Sequence, residues 1–229
     1  MIGLVTALRE ERKALKSVFG LEPAGTLGGL ELSVGQGCVH LCTGMGADRV
    51  VGGAQLLARS YRPDLLLLVG FSVGLTLEAT VGTVAYDPRS SSKVVGLLEH
   101  KLKEGRIATC GFLNTESQKK AFAEKHPDCL LADLESEAFL QAFQEGPPVL
   151  VVRVVSDDVK TSLPLDFSHY TTKDGFPNQR ALAKKVAFNP LVLPKMIRLA
   201  RDAATATRSL SAELNELKPL LLGFGAEQS

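Results

Sequence analysis

The 229-residue chain contains no Trp, three Met and four Cys, so neither a redox site nor an aromatic-stacking platform stands out. Cys38, Cys42, Cys110 and Cys129 lack the paired spacing of a zinc site or a secreted disulfide framework and read as core thiols. No basic tract is present. The 26 basic and 25 acidic residues are spread along the chain, for a formal charge of +1, which leaves no surface suited to counterion release from nucleic acid. Nowhere do about eighteen apolar residues run together as a bilayer span requires, and the start, Met1 to Glu11, has no basic region ahead of a long apolar one. The expectation is a soluble, cytoplasmic protein with no transmembrane segment and no nucleic-acid partner.

What is present is 45% apolar content in short runs that alternate with amphipathic stretches, the pattern of strands connected by helices. Candidate strands are Ile2 to Ala7, Leu30 to Gly35, Cys38 to Thr43, Leu65 to Gly70, Val81 to Tyr86, Ile107 to Gly111, Cys129 to Asp133 and Val149 to Val155. Candidate helices are Arg9 to Phe19, Ala47 to Ser60, Thr115 to Lys125, Ser136 to Gln144, Asn178 to Val186 and a broken one over Pro190 to Leu217. Leu65 to Val69 and Val149 to Val155 show no polar alternation, so both of their faces are covered, as in central parallel strands. The expected fold is a single three-layer α/β/α sandwich around a twisted mixed sheet, with residues 176–229 as a helical C-terminal extension ending in Leu220-Leu221-Leu222-Gly223-Phe224-Gly225.

Acids collect where such a fold places ligand groups. Glu135 stands between a strand-like and a helix-like stretch, where it either caps the helix or serves a site. The strand from Val149 ends in Ser156-Asp157-Asp158. Gly44-Met45-Gly46 precedes a helix and offers a turn whose amides could hold an anion. Nothing forms a dinucleotide fingerprint or a phosphate loop, so no cofactor is expected. Residues 156–175, long for a structureless connection, read as an active-site lid or a surface loop.

Taken in order, Gly3-Leu4-Val5-Thr6-Ala7-Leu8-Arg9-Glu10-Glu11, Thr43-Gly44-Met45-Gly46, Val81-Gly82-Thr83-Val84, Asp133-Leu134-Glu135-Ser136-Glu137-Ala138 and Val152-Arg153-Val154-Val155-Ser156-Asp157 resemble the nucleoside phosphorylase and nucleosidase superfamily. The resemblance covers about the first 160 residues, and its specificity lies in the ordered set. It implies metal-free cleavage of the N-glycosidic bond of a purine nucleoside, with Asp157 as the acid that protonates the base and Glu135 gripping the ribose hydroxyls. Glu11 falls on the position where the superfamily's hydrolases carry their water-activating glutamate, although acids also suit a solvated first helical turn. Phe112 would stack on the purine and the Leu113 backbone read its edge, with Leu134, Ser156 and Gly44 completing the binding residues.

Two departures bear on substrate. Gly70-Phe71-Ser72-Val73-Gly74-Leu75 replaces a hydroxyl and a glycine of the superfamily's pattern with Phe71 and Val73, and Asp158-Val159-Lys160 lacks a second usual aspartate. Beyond residue 160, Lys173-Asp174-Gly175 and Asn189-Pro190 to Asp202 are similar to the hopanoid-associated phosphorylase-like branch, which implies an apolar group at the 5′ carbon. Phosphorolysis, cleavage of methylthioadenosine, adenosylhomocysteine or futalosine, and an inactive nucleoside-binding protein stay open. The resemblance also implies a homo-oligomer.

Overall fold

The computed structural model describes residues 1–224, so Gly225 at the end of the apolar tail lies outside them. Strands β1 (Ile2–Thr6), β4 (Cys38–Cys42), β5 (Leu65–Gly74) and β10 (Val149–Asp157) run parallel at the centre of the sheet. Flanking β4 are β3 (Leu30–Gly35) and β2 (Glu22–Leu27), both antiparallel to their neighbours. On the other side β6 (Val84–Tyr86) pairs antiparallel with β10 and carries the two-residue β7 (Lys103–Glu104). The parallel pair β8 (Ile107–Thr109) and β9 (Leu131–Asp133) attaches through β9 to the far end of β5. The sheet is therefore mixed, as expected.

Strand periodicity divides the core in two, because successive side chains point to opposite faces. Leu65, Leu67 and Val69 join Leu150, Val152 and Val154 under α1 (Arg9–Phe19), α3 (Ser92–Leu98) and α7 (Leu193–Gly223). Leu66 and Leu68 join Val149, Val151 and Val155 under α2 (Ala47–Tyr61) and α5 (Ser136–Ala142). The remaining helices are α4 (Glu116–Lys125), beside β8 and β9, and α6 (Gln179–Phe188).

The C-terminal region departs from the sequence reading. From Leu193 to Gly223 the backbone is one continuous helix, preceded by a separate 3-10 turn at Pro190–Val192. Ala206, Leu210, Leu214, Leu217 and Leu221 repeat at helical spacing and sink into the core under β1, β5 and β10, and that burial keeps the helix unbroken. Among the described residues no helix is long and apolar enough to cross a membrane.

Candidate active site

Strands β1, β5, β9 and β10 deliver their C-terminal residues, or those just beyond, to one cavity of about 360 Å³. Glu11, from the first turn of α1, reaches back beneath it. One carboxylate oxygen accepts from the amides of Ala7 (2.9 Å) and Leu8 (2.7 Å), and the other from Phe71 N (2.8 Å). Burial pushes its pKa up to about 7, against the pull of Arg153 and those amides. The solvated-turn reading of Glu11 therefore fails: it is 2% exposed.

Glu135 is the residue before α5, but its side chain does not cap that helix. Asp133 takes that part, accepting from the amides of Glu135 and Ser136 at 3.2 and 3.0 Å. The Glu135 carboxylate instead accepts from Gly46 N at 3.0 Å and from Arg153 Nη2 at 3.2 Å. Burial raises its pKa, and Arg153 opposes the rise.

Arg153 stands in the motif Val152-Arg153-Val154-Val155-Ser156-Asp157, but sequence reasoning gave it no role, although a lone cation in the valine run of β10 is a visible signal. It is fully buried, 2.5 Å from Asp133, and ties Asp133, Glu135 and the hydroxyl of Ser136 together. A Cβ at residue 70 would collide with the Arg153 guanidinium and the Glu11 carboxylate, so glycine there is a packing requirement.

Asp157 ends β10, where the register against β5 slips between Val155 and Asp157. This irregularity aims the side chain into the cavity. Its carboxylate accepts from Ser156 Oγ at 3.0 Å and from Lys119 Nζ at 2.5 Å. Burial raises the Asp157 pKa, and the ammonium works against it. Lys119, on α4, is wholly buried and spends its other protons on the carbonyls of Asp158 (3.0 Å) and Thr161 (2.7 Å). Nothing in the run Gln118-Lys119-Lys120 distinguishes it from a solvated helical lysine, so sequence reasoning missed it.

Phe112, Leu113, Leu134 and Ser156 line the cavity together with the three acids. Gly44 does not. Its φ of 83° suits glycine, but the space a side chain would fill is occupied by the backbone of Asp174. The amides of this turn are occupied within the protein, Gly44 N donating to Ala7 O, Met45 N to Gly175 O and Gly46 N to the Glu135 carboxylate. The turn is a fastening between the sheet and the segment after β10.

That segment forms the opposite wall. Leu163 and Phe167 face the cavity, joined by Leu199 and Ala203 from α7, with Met45, Phe71 and Val73 beside them. Leu163 N donates to Asn114 O (2.8 Å) and Phe167 N to Asn114 Oδ1 (3.3 Å), so this segment is anchored to the turn that carries Phe112. The Cys110 thiol, also in the wall, is pushed up to about 12 by burial and the nearby carboxylates and stays protonated.

The mixed α/β/α fold is shared with solved nucleosidases and a futalosine hydrolase. No protein-family model matches the chain. A 5′-methylthioadenosine/S-adenosylhomocysteine nucleosidase from Shewanella halifaxensis is 25% identical over 214 residues, covering 76% of this chain and 93% of that protein. Among solved structures, the 5′-methylthioadenosine nucleosidase of Arabidopsis thaliana superposes with a TM-score of 0.68 at 17% identity, covering 96% of this chain and 95% of that one. The futalosine hydrolase of Helicobacter pylori gives 0.67 at 16% identity, covering 94% and 97%.

Proposed function

We propose that the protein is a purine nucleoside N-glycosidase that releases adenine from a 5′-substituted adenosine. The observation that carries this reading is the convergence of Glu11, Glu135 and Asp157, remote in sequence, on one cavity beside Phe112. As the C1′–N9 bond breaks, its electron pair leaves with the base and the sugar approaches an oxocarbenium ion. Asp157 gives a proton to N7, so the base departs neutral. A water oxygen bonds to C1′ and its proton passes to Glu11, whose raised pKa suits a base working near neutrality. Glu135 accepts from the ribose hydroxyls, with Arg153 and Gly46 holding it in place. Once the proton has left Asp157, the Lys119 ammonium stabilises the carboxylate that remains.

The relatives' substrates are adenosine derivatives by name, and the finer choice rests on the cavity wall. Phe71, Val73, Leu163, Phe167, Leu199 and Ala203 make it largely apolar, which supports a long hydrocarbon at the 5′ carbon, as in adenosylhopane. The occupied amides of Gly44, Met45 and Gly46 favour water over phosphate as the nucleophile.

The test is adenine release from a panel of 5′-substituted adenosines, one with a long apolar group, with and without phosphate. Release is expected without phosphate and fastest for the apolar substrate. Strict dependence on phosphate with a ribose 1-phosphate product would make the protein a phosphorylase, and adenine binding without release would make it an inactive binder.

A further inference from the structure

Residues 179–201 hold six of the chain's 26 basic residues and none of its 25 acidic ones. In an otherwise balanced sequence this is a local concentration of one sign, and it coincides with exposed apolar surface. Phe188 is 80% and Leu191 85% exposed, with Leu193 and Ile197 at 46% each. Half of the large exposed apolar side chains among the described residues thus fall within ten positions.

The local structure explains the exposure. Helix α6 has no buried residue, and Asn189 and the 3-10 turn at Pro190–Val192 lift Phe188 and Leu191 away from the core. On α7, Leu193 and Ile197 lie one turn apart on the outer side, whereas Leu199 and Ala203 line the cavity. Around this apolar edge stand Arg180, Lys184, Lys185, Lys195 and Arg201, all exposed. The Lys184 ammonium lies 6.0 Å from the Phe188 ring centroid, so stem and charge flank the aromatic as at a water–lipid boundary. Among the described residues, only Arg198 of the six has an acidic partner, Asp202 at 3.6 Å.

We propose that this face docks on an anionic lipid bilayer, with Phe188 and Leu191 entering the headgroup region and the cations meeting lipid phosphates. Apolar tips ringed by lysine and arginine are what interfacial binding requires. A second copy of the chain fits less well, because its own like-charged residues would meet these. A groove lined by Lys160, Lys195 and Arg198, with Asp202 among them, leads from the basic surface to Leu199, which also belongs to the cavity wall. Docking would therefore bring the apolar end of the cavity to the membrane surface.

The inference does not rest on the proposed chemistry, and its test involves no turnover. The full chain is sedimented with vesicles of phosphatidylcholine alone and of phosphatidylcholine mixed with phosphatidylglycerol. The bound fraction is expected to rise at least about tenfold on the anionic vesicles and to fall as salt is added. Phe188→Ser with Leu191→Ser, and separately Lys184→Glu with Lys185→Glu, should each abolish the gain while circular dichroism stays unchanged. Equal recovery with both vesicle types, or variants that bind like the natural chain, would overturn the proposal. So would light scattering that shows a dimer converted to monomer by Phe188→Ser with Leu191→Ser, which would assign the face to a second copy.

Discussion

At one end of the cavity Glu11, Glu135 and Asp157 stand at strand ends or the adjoining helical turns, almost wholly buried, each held by at least two donors. At the other end Leu163, Phe167, Leu199 and Ala203 come from a loop and the flank of α7 and are only half covered. The first end shares its residues with the core, so it cannot vary without disturbing the fold. The second can vary at little cost, and substrate choice is free to change there while the chemistry stays fixed.

The largest effects are expected at the acids. Asp157→Asn should lower turnover by about a thousandfold in a protein that still folds but melts lower, because the buried Lys119 loses its counter-charge; near-normal adenine release would show that another group supplies the proton. Arg153→Met should cost about 3–5 kcal/mol of stability, since it leaves Asp133 and Glu135 buried without their cation. Urea unfolding measures this, and an unchanged midpoint would mean that the two ends do not differ in their debt to the core.

Glu11 sharpens the point through pH. As the proposed base it must be ionised, so kcat/KM should rise about tenfold per pH unit up to about 7 and fall again where Asp157, the proposed acid, loses its proton. Its folded pKa lies above the ordinary 4.5, so the folded chain binds the proton more tightly than the unfolded one. Stability from this group accordingly declines as pH rises from 4.5 to about 7 and is flat beyond. Glu11→Gln should abolish hydrolysis and remove that decline together, and a variant that kept the decline would detach it from Glu11.

Smaller effects are expected further out. Lys119→Met should slow turnover about tenfold, with Lys119→Arg restoring part of it if the charge beside Asp157 is what matters. An unaltered rate in Lys119→Met would reduce that lysine to a tie for the segment after β10. Leu199→Ala should reduce the preference for an apolar over a small 5′ substituent about tenfold, leaving hydrolysis of the small substrate untouched. Equal losses on both substrates would mean that the apolar wall is part of the chemical machinery.

Much of this was legible in sequence where burial imposes a period. Helix α1 and strand β3 fall on the expected residues, and β10 only runs two residues further, to Asp157. Seven of the eight expected site residues line the cavity, because each follows or ends a strand. What was illegible has local causes. Strand β2 contains Pro23 and Gly25 and is almost entirely exposed, so no apolar pattern marks it. Helix α3 was also missed: its seven residues, with Gly96 inside, are too short for a helical period. The segment expected to be strand from Val81 begins only at Val84, since Gly82 at φ 92° and a turn bond from Thr83 to Thr80 occupy its start. Gly44 stands outside the cavity lining, and a left-handed glycine turn looks the same in sequence whether it greets a ligand or a neighbouring loop. Lys119, on a helix among other polar residues, shows no sign of burial until its three acceptors are in place.

Helix α7 reaches from the cavity wall at Leu199 to the deep core at Leu221 without a break. A molecule seated against its first turns therefore leans on the same rod that covers one face of the sheet. Amide hydrogen exchange along residues 199–221 should slow when the cavity fills, giving a label-free gauge of occupancy that works even for compounds the protein never cleaves.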